Sequence, residues 1–447
     1  MNPAFTISPP LRPSRWLLVA LLALIQGAFL YWAAGEAVAV ERECRVCDTA
    51  YYFQSAAEFS KSGLMFANGF DGYRSYFFPF VISLLQQTTA ALGLGGNEVE
   101  RYTYAISFLF WVVSTIAMSR IAATLHARAF TLFAAATLLN PFLVVYVPFA
   151  LQEGILMFFC LPALFVWLGA KGLDPVKRAG IILSLALLAY IIRASFVWLL
   201  VPAVLYAVHV LWPQLRTPKR WLPTLAVVAV VGIALIGPQS YVAQKKFKTF
   251  NPYPSTGLIG QQVSWGITIL KNATVEDEGH WRGLLFLSPF AGDAEEAKTI
   301  RYYVDHPARG ALLASTHIYA GFHYDQLKPY WRLGGARPLT FWLVVSSAVV
   351  FLGLMRAANL VRARKLTADS VFMILTVALC CAALFFVAAE ARFGIMGFAM
   401  LSIFAAQWFE TRPQGHMMPV LVAGTALYVV LAVLVNTWLF QSADIKF

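Results

Sequence analysis

The stretch Tyr76-Phe-Phe-Pro79-Phe-Val-Ile-Ser-Leu-Leu-Gln86-Gln87-Thr88-Thr89-Ala-Ala-Leu-Gly-Leu94 decides how this chain is threaded. It is apolar enough to pass for a membrane span. Yet Pro79 stands near its start, and four consecutive polar residues interrupt it, which suits a tilted, interfacial or re-entrant helix. The consequence can be checked against charge. If the stretch does not cross and the N-terminus is cytoplasmic, six segments share one side: the N-terminus, Arg120–Arg128, Lys171–Arg178, Pro213–Arg220, Arg356–Asp369 and Glu410–His416. Together they carry fifteen Lys and Arg against three acids, Asp174, Asp369 and Glu410. Every short connection then obeys the positive-inside rule. If the stretch crosses, all the later basic connections move outside. Tyr76–Leu94 is therefore assigned to an outer loop.

Working outward, the 447 residues are 60% hydrophobic and only 13% charged, with a mean hydropathy of +0.67. Soluble chains carry about 25% charged residues, so the bilayer must act as the solvent for most of this surface. The expected spans are Trp16–Ala34, Tyr102–Ile121, Ala129–Phe149, Leu151–Ala170, Gly180–Ile192, Ser195–Trp212, Leu222–Tyr241, Pro338–Met355, Ser370–Ala389, Phe393–Phe409 and Met418–Phe440. The run Gly180–Ile192 is short and must borrow flanking residues. Trp16–Ala34, with Arg12 and Arg15 before it, reads as an uncleaved first span and not a signal peptide. The fold class is an all-α polytopic membrane protein of about eleven spans, one transmembrane unit over residues 1–447. Interfacial helices are expected in two large outer loops, 35–101 and 242–337. The location expected is a multi-pass bacterial inner membrane, N-terminus cytoplasmic.

The net charge of +12 lies in short clusters between apolar runs, a pattern of topology signals and lipid headgroup contacts, not of nucleic-acid binding. Cys160, Cys380 and Cys381 sit in apolar runs as small hydrophobes. Cys44 and Cys47 form a lone CxxC, read as a short-range disulfide in an oxidising compartment. A metal site there would need two more ligands that the neighbourhood lacks. There is no P-loop, no GxGxxG after a strand, no HExxH and no GxSxG. Glu276-Asp277-Glu278 reads as an acidic turn beside His280.

Charged groups at span ends are costly and so are candidates for function. Asp48 opens an amphipathic stretch, Asp48–Ser62, with Tyr51 and Tyr52 on it. It serves as an N-cap, as a general base, or as both. Glu153 follows a Pro-bearing span end as an interfacial carboxylate with Arg193 or Arg392 as partner. Glu390 and Arg392 are two residues apart and do not face each other on a helix. Arg193 and Arg392 contact a ligand or snorkel to the headgroups. The second loop mixes cations, Lys246 among them, with aromatics. That mixture serves phosphate binding or an interfacial belt. His306 and His323 are too sparse for a metal centre.

This layout resembles the GT-C superfamily of integral-membrane glycosyltransferases, which use polyprenyl-phosphate-linked sugars. The resemblance rests on an early loop acid with helical aromatics (Asp48-Thr-Ala-Tyr-Tyr-Phe-Gln-Ser), on Tyr73-Arg74-Ser-Tyr-Phe-Phe-Pro79, and on the Pro-ended span leading to Glu153. Arg193, the large loop after the seventh span, and Glu390-Ala-Arg392-Phe393 complete it. It implies an enzyme moving a hexosyl or pentosyl group, with inversion, to a protein, lipid or glycan hydroxyl. By the same resemblance Asp48 is the base, Glu153 shapes the site, and Arg193, Arg392 and Arg74 bind the donor phosphate, joined by Lys246 from the basic second loop. Glu390, Tyr51, Tyr52 and His323 support it. No cofactor is implied outright, and a divalent metal stays open. Departures are Asp48-Thr49 where one branch has Asp-Glu, and Tyr-Phe-Phe-Pro where the lipid A-modifying branch has Lys-Pro-Pro. The competing readings are a lipid-linked sugar flippase or transporter, and a polysaccharide polymerase or ligase using diphosphate-linked donors.

Overall fold

The structure, a computed structural model, describes residues 13–43, 48–65, 74–123, 130, 134, 139–152, 154, 156, 174–255, 257–277, 280–292, 299–323, 340–387, 391–411, 417–441 and 443–446. The chain divides into two compact units, Met1–Leu139 with Val147–Pro254, and Asn140–Tyr146 with Ser255–Phe447.

The first unit contains α1 (Pro13–Glu43), α2 (Asp48–Ser62), α3 (Phe77–Ala91), α4 (Glu98–Ala122), α5 (Pro175–Ile192), α6 (Leu200–Leu211) and α7 (Pro218–Phe247). α1 and α4 pack antiparallel. Arg15 Nη1 donates to Ala122 O at 2.7 Å, Trp111 Nε1 to Ala23 O at 2.7 Å, and the Tyr31 and Tyr104 rings meet toward the other end. Ser114 and Gln26 pair their side chains in the seam. α4 starts where the sequence provides a capping box: Asn97 accepts from Glu100 N–H, and Glu100 accepts from Asn97 N–H. α5 borrows its first turn as expected. Asp174 caps it and Pro175 occupies its first position, where a missing N–H costs nothing.

α3 has 15 residues, about 22 Å of helix against a hydrocarbon core of about 30 Å. It is not among the helices long enough to cross. One face, with Phe78, Val81, Ile82, Ser83, Gln86 and Thr89, is buried, whereas Phe80 and Leu84 are exposed. α2 coincides with the amphipathic stretch read from the sequence. The loop boundaries shift, because α1 runs on to Glu43 and α7 to Phe247. Lys246 therefore stands on the last turn of a helix and not in the loop. α7 ends at Lys248, whose left-handed φ of 58° stops it.

The second unit holds α8 (Gly257–Thr268), β1 (Ile269–Asp277), β2 (His280–Leu287), α9 (Pro307–Phe322), α10 (Thr340–Arg362), α11 (Ala368–Leu384), α12 (Ile395–Thr411), α13 (Met417–Gln441) and β3 (Ala443–Lys446). The strands form one antiparallel sheet, β1-β2-β3. The expectation of helices alone in the outer loops is thus incomplete. Of the acidic turn, Glu276 and Asp277 end β1, with Glu276 opposite Trp281 and Asp277 opposite His280, and Glu278 lies outside the described residues. A bulge between Ile269 and Lys271 puts an extra residue into β1, so adjacent Leu270 and Lys271 are both buried.

Among the described residues, seven helices are long and apolar enough to cross a membrane: Pro13–Val40, Glu98–Ala122, Pro175–Ile192, Ala194–Gln214, Pro218–Phe247, Phe341–Arg362 and Met417–Leu439. Two more of the expected spans are short helices, α11 and α12, of 17 residues each. The expected spans Ala129–Phe149 and Leu151–Ala170 fall mostly outside the described residues. None of the apolar window of α7 is buried, and only 11% of that of α13. Val227, Val230 and Ile233 of α7 are more than half exposed. Such surfaces belong in lipid, which makes this a multi-pass membrane protein.

Candidate functional site

In the first unit the segments bearing the candidate residues converge on one end of the helices. Pro238 interrupts α7 near that end. Having no N–H, it leaves the Ala234 carbonyl without its helical donor. The Tyr76 hydroxyl reaches over, donating toward Leu235 O at 3.2 Å and Ala234 O at 3.4 Å. The next residue, Gln239, is fully buried. Its Oε1 accepts from Tyr76 N–H at 2.9 Å. Its Nε2 donates to Arg74 O at 3.1 Å and Pro252 O at 3.0 Å. Tyr253, buried beside them, points its hydroxyl at Tyr190 O and Ile191 O, 3.0 Å from each, at the end of α5. Tyr76, Ile191, Val242, Ala243 and Tyr253 form one apolar cluster around these bonds. Burial pushes the Tyr76 phenol up to about 12. It drives Tyr253 up as well, with the Tyr190 phenol adding to the effect. Both hydroxyls therefore remain donors at any physiological pH.

Around this knot lie the cations. Arg74 places its guanidinium 4.1 Å from the Tyr51 ring centre and 6.0 Å from that of Tyr52. Tyr52 in turn packs edge-on against Phe78 at 4.5 Å. Arg193 follows Ile191 by two residues, in extended backbone (φ −151°, ψ 118°) that ends α5 and starts the 3-10 turn Ala194–Leu199. Lys246 is one turn beyond Ala243, half-buried. Asp48 is the first residue of α2, one turn before Tyr51 and Tyr52. Thus Arg74 meets Tyr51 and Tyr52 directly, and the segments bearing Asp48, Arg193 and Lys246 join the same end of the unit. The N-terminus of α1, the C-terminus of α4 and the N-terminus of α5, with Arg15, Arg120, Lys177 and Arg178, lie at the opposite end. Glu153, Glu390, Cys44 and Cys47 lie outside the described residues.

The second unit carries Arg392 and His323. Arg392 sits in the 3-10 turn Ala391–Gly394, its guanidinium 5.4 Å from the Phe393 ring centre. A methyl group at Gly394 would collide with the Gly321 carbonyl, and one at Gly397 would come within 2.8 Å of the Phe322 ring. The turn is seated by missing side chains. His317, fully buried, places Nδ1 3.1 Å from Phe385 O and Nε2 3.3 Å from Ile269 O, linking α9 to the end of α11 and the start of β1.

His323 is also buried. It stacks on Tyr319, with ring centres 4.0 Å apart and planes 14° apart. Nδ1 lies 2.8 Å from Tyr319 O. A carbonyl only accepts, so Nδ1 carries the proton. Burial, reinforced by the charge of Lys271, holds His323 down at about 4 and so keeps it neutral at pH 7. Lys271, 2% exposed, lies with Nζ 5.4 Å from the Phe286 ring centre.

Gln239, His317 and Lys271 were not singled out from the sequence, and Tyr253 only as one of the second loop's aromatics. Gln239 had a visible signal, an amide directly after a proline in an otherwise apolar run. Lys271 had none, because its burial depends on the bulge. Among the described residues no group of three or more His, Cys, Asp and Glu could hold a metal ion. The sequence matches no protein-family model and no curated protein.

Proposed function

We propose that the protein is a membrane glycosyltransferase that moves a sugar from a polyprenyl-phosphate donor to an acceptor hydroxyl on the extracytoplasmic side. One observation carries the reading. At one end of the first unit a helix opening with Asp48 lies beside Arg74, and the span ends bearing Arg193 and Lys246 are bonded to the same knot. Cations on a rim between lipid-facing helices suit a phosphate whose tail stays in the bilayer.

In this reading Asp48 takes the proton of the acceptor hydroxyl, and that oxygen attacks the anomeric carbon. The bond from that carbon to the phosphate oxygen breaks with inversion. The phosphate leaves unprotonated, its growing charge met by the guanidiniums, an electrostatic effect of about 3–4 kcal/mol per well-placed donor in other enzymes. Arg392 and Glu390 remain donor-site candidates through the GT-C resemblance alone. A cytoplasmic N-terminus is supported by the basic connectors at the far end of the unit, and a bacterial inner membrane by the GT-C resemblance alone.

The test is incubation of purified protein with a panel of polyprenyl-phosphate sugars, following release of polyprenyl phosphate. Asp48→Asn should lower release by roughly a hundredfold to ten-thousandfold, the usual range for a lost general base, with expression and lipid-phosphate binding kept. Wild-type turnover in that variant would end the assignment.

A further inference from the structure

We propose that Gln239 is a positioning residue: it fixes where Arg74 stands, acting through backbone groups alone. The proposal rests on the reading of this end of the first unit as a phosphate-binding cradle.

The argument is one of hydrogen-bond capacity. A primary amide offers two N–H donors and one carbonyl. Gln239 uses all three, on the backbone of segments more than 150 residues away and 13 residues away in sequence: Tyr76 N–H, Arg74 O and Pro252 O. The amide orientation follows from the partners, since only N–H can face two carbonyls. No other side chain of this length fits. Ionised Glu would turn an oxygen toward two carbonyls, Met has no donor, and Asn is one carbon too short to reach all three.

The residue is fully buried, so each lost bond would leave a polar group without water, at about 1–3 kcal/mol. The two bonds on Arg74 O and Tyr76 N–H bracket Ser75 and fix the peptide planes on both sides of it. That sets the root of the Arg74 side chain, whose far end rests on Tyr51. The third bond holds Pro252, next to Tyr253, whose hydroxyl lies on Ile191 O just before Arg193. One uncharged amide thus couples both arginine-bearing segments. Pro238 makes this possible, since the carbonyl it frees takes the Tyr76 hydroxyl and brings Tyr76 N–H to the amide beside it.

The test uses the full chain in nanodiscs and Gln239→Met, which keeps volume and changes no charge. Amide exchange should rise in the peptides covering residues 74–80 and 250–255. Affinity for farnesyl phosphate should fall roughly tenfold or more, while affinity for farnesol, which lacks the phosphate, stays unchanged. Gln239→Glu should bind farnesyl phosphate weakly at neutral pH and regain affinity on acidification, when the protonated carboxyl recovers one O–H donor. The neighbouring Tyr76, Tyr190 and Tyr253 stay neutral and Arg74, Arg193 and Lys246 stay charged over that range. Asp48 and the phosphate of the ligand titrate in wild type and variant alike, so the gain that belongs to the introduced carboxyl is the gain in excess of the wild-type change over the same pH range. A Gln239→Met protein that binds farnesyl phosphate like the wild type overturns the positioning role alone. A wild-type protein that does not bind farnesyl phosphate overturns the cradle reading and the positioning role with it.

Discussion

The two units differ in how the segments bearing Arg74 and Arg392 are held. In the first, buried uncharged polar side chains reach across to backbone groups: Gln239 to Arg74, Tyr76 and Pro252, and Tyr253 to the end of α5. In the second, backbones touch because side chains are missing. Gly394 lies on the Gly321 carbonyl, a methyl at Gly266 would meet Phe386 O at 2.5 Å, and one at Gly353 would meet Leu401 O at 2.5 Å. Hydrogen bonds are directional and individually modest, so the first arrangement should yield gradually as donors are removed. Close contact has no such gradation. A single added methyl has nowhere to go when its neighbour is backbone, because a peptide group cannot rotate aside as a side chain can.

The sharpest way to break this comparison is Gly394→Ala. The new methyl would overlap the Gly321 carbonyl, and overpacking of this kind costs about 1–3 kcal/mol or more. Thermal unfolding followed by amide exchange should show peptides of α9 and α12 losing protection first, with α1 and α4 unchanged. Equal protection in all four would mean that the glycine contact is not what holds the turn.

A second test uses acid. His323 is held at about 4 in the folded protein and returns to about 6.5 when unfolded. His317 is pushed down as well, by burial. A folded value below the unfolded one means that the unfolded chain binds more protons between them. Stability of the second unit should therefore fall as pH drops from about 6.5 toward 4, by up to about 3 kcal/mol for His323 alone. His323→Phe keeps the stack on Tyr319 and should flatten this dependence, measured by exchange in the 307–322 peptide from pH 7 to pH 4. An unchanged slope would remove His323 as its source.

The smallest effect belongs to the first unit. Asn97→Ala deletes one half of the α4 capping box and should cost about 1 kcal/mol. Exchange should rise only in the first turn of α4. A loss spreading to α3 would show that the bonds of this end act together and not singly.

Much of this was legible beforehand for a physical reason. Transfer of apolar side chains to lipid depends on local composition, so spans can be read by adding up residues in order. Tyr76–Leu94, by contrast, is apolar enough to pass for one and is set apart by the charge of the later connections. Capping can be read too: Asn97 with Glu100 and Asp174 with Pro175 are local patterns. The hairpin was less legible. Glu276 and Asp277, at the end of β1, look the same in a loop and in a ladder.

What composition determined by itself was the solvent: a chain this apolar must place most of its helices in a bilayer. Tertiary structure alone decided which polar groups have work to do there. Gln239, Tyr253, His317 and Lys271 acquire meaning only from partners distant in sequence, because a buried hydrogen bond depends on where two segments meet, and no local pattern records that meeting.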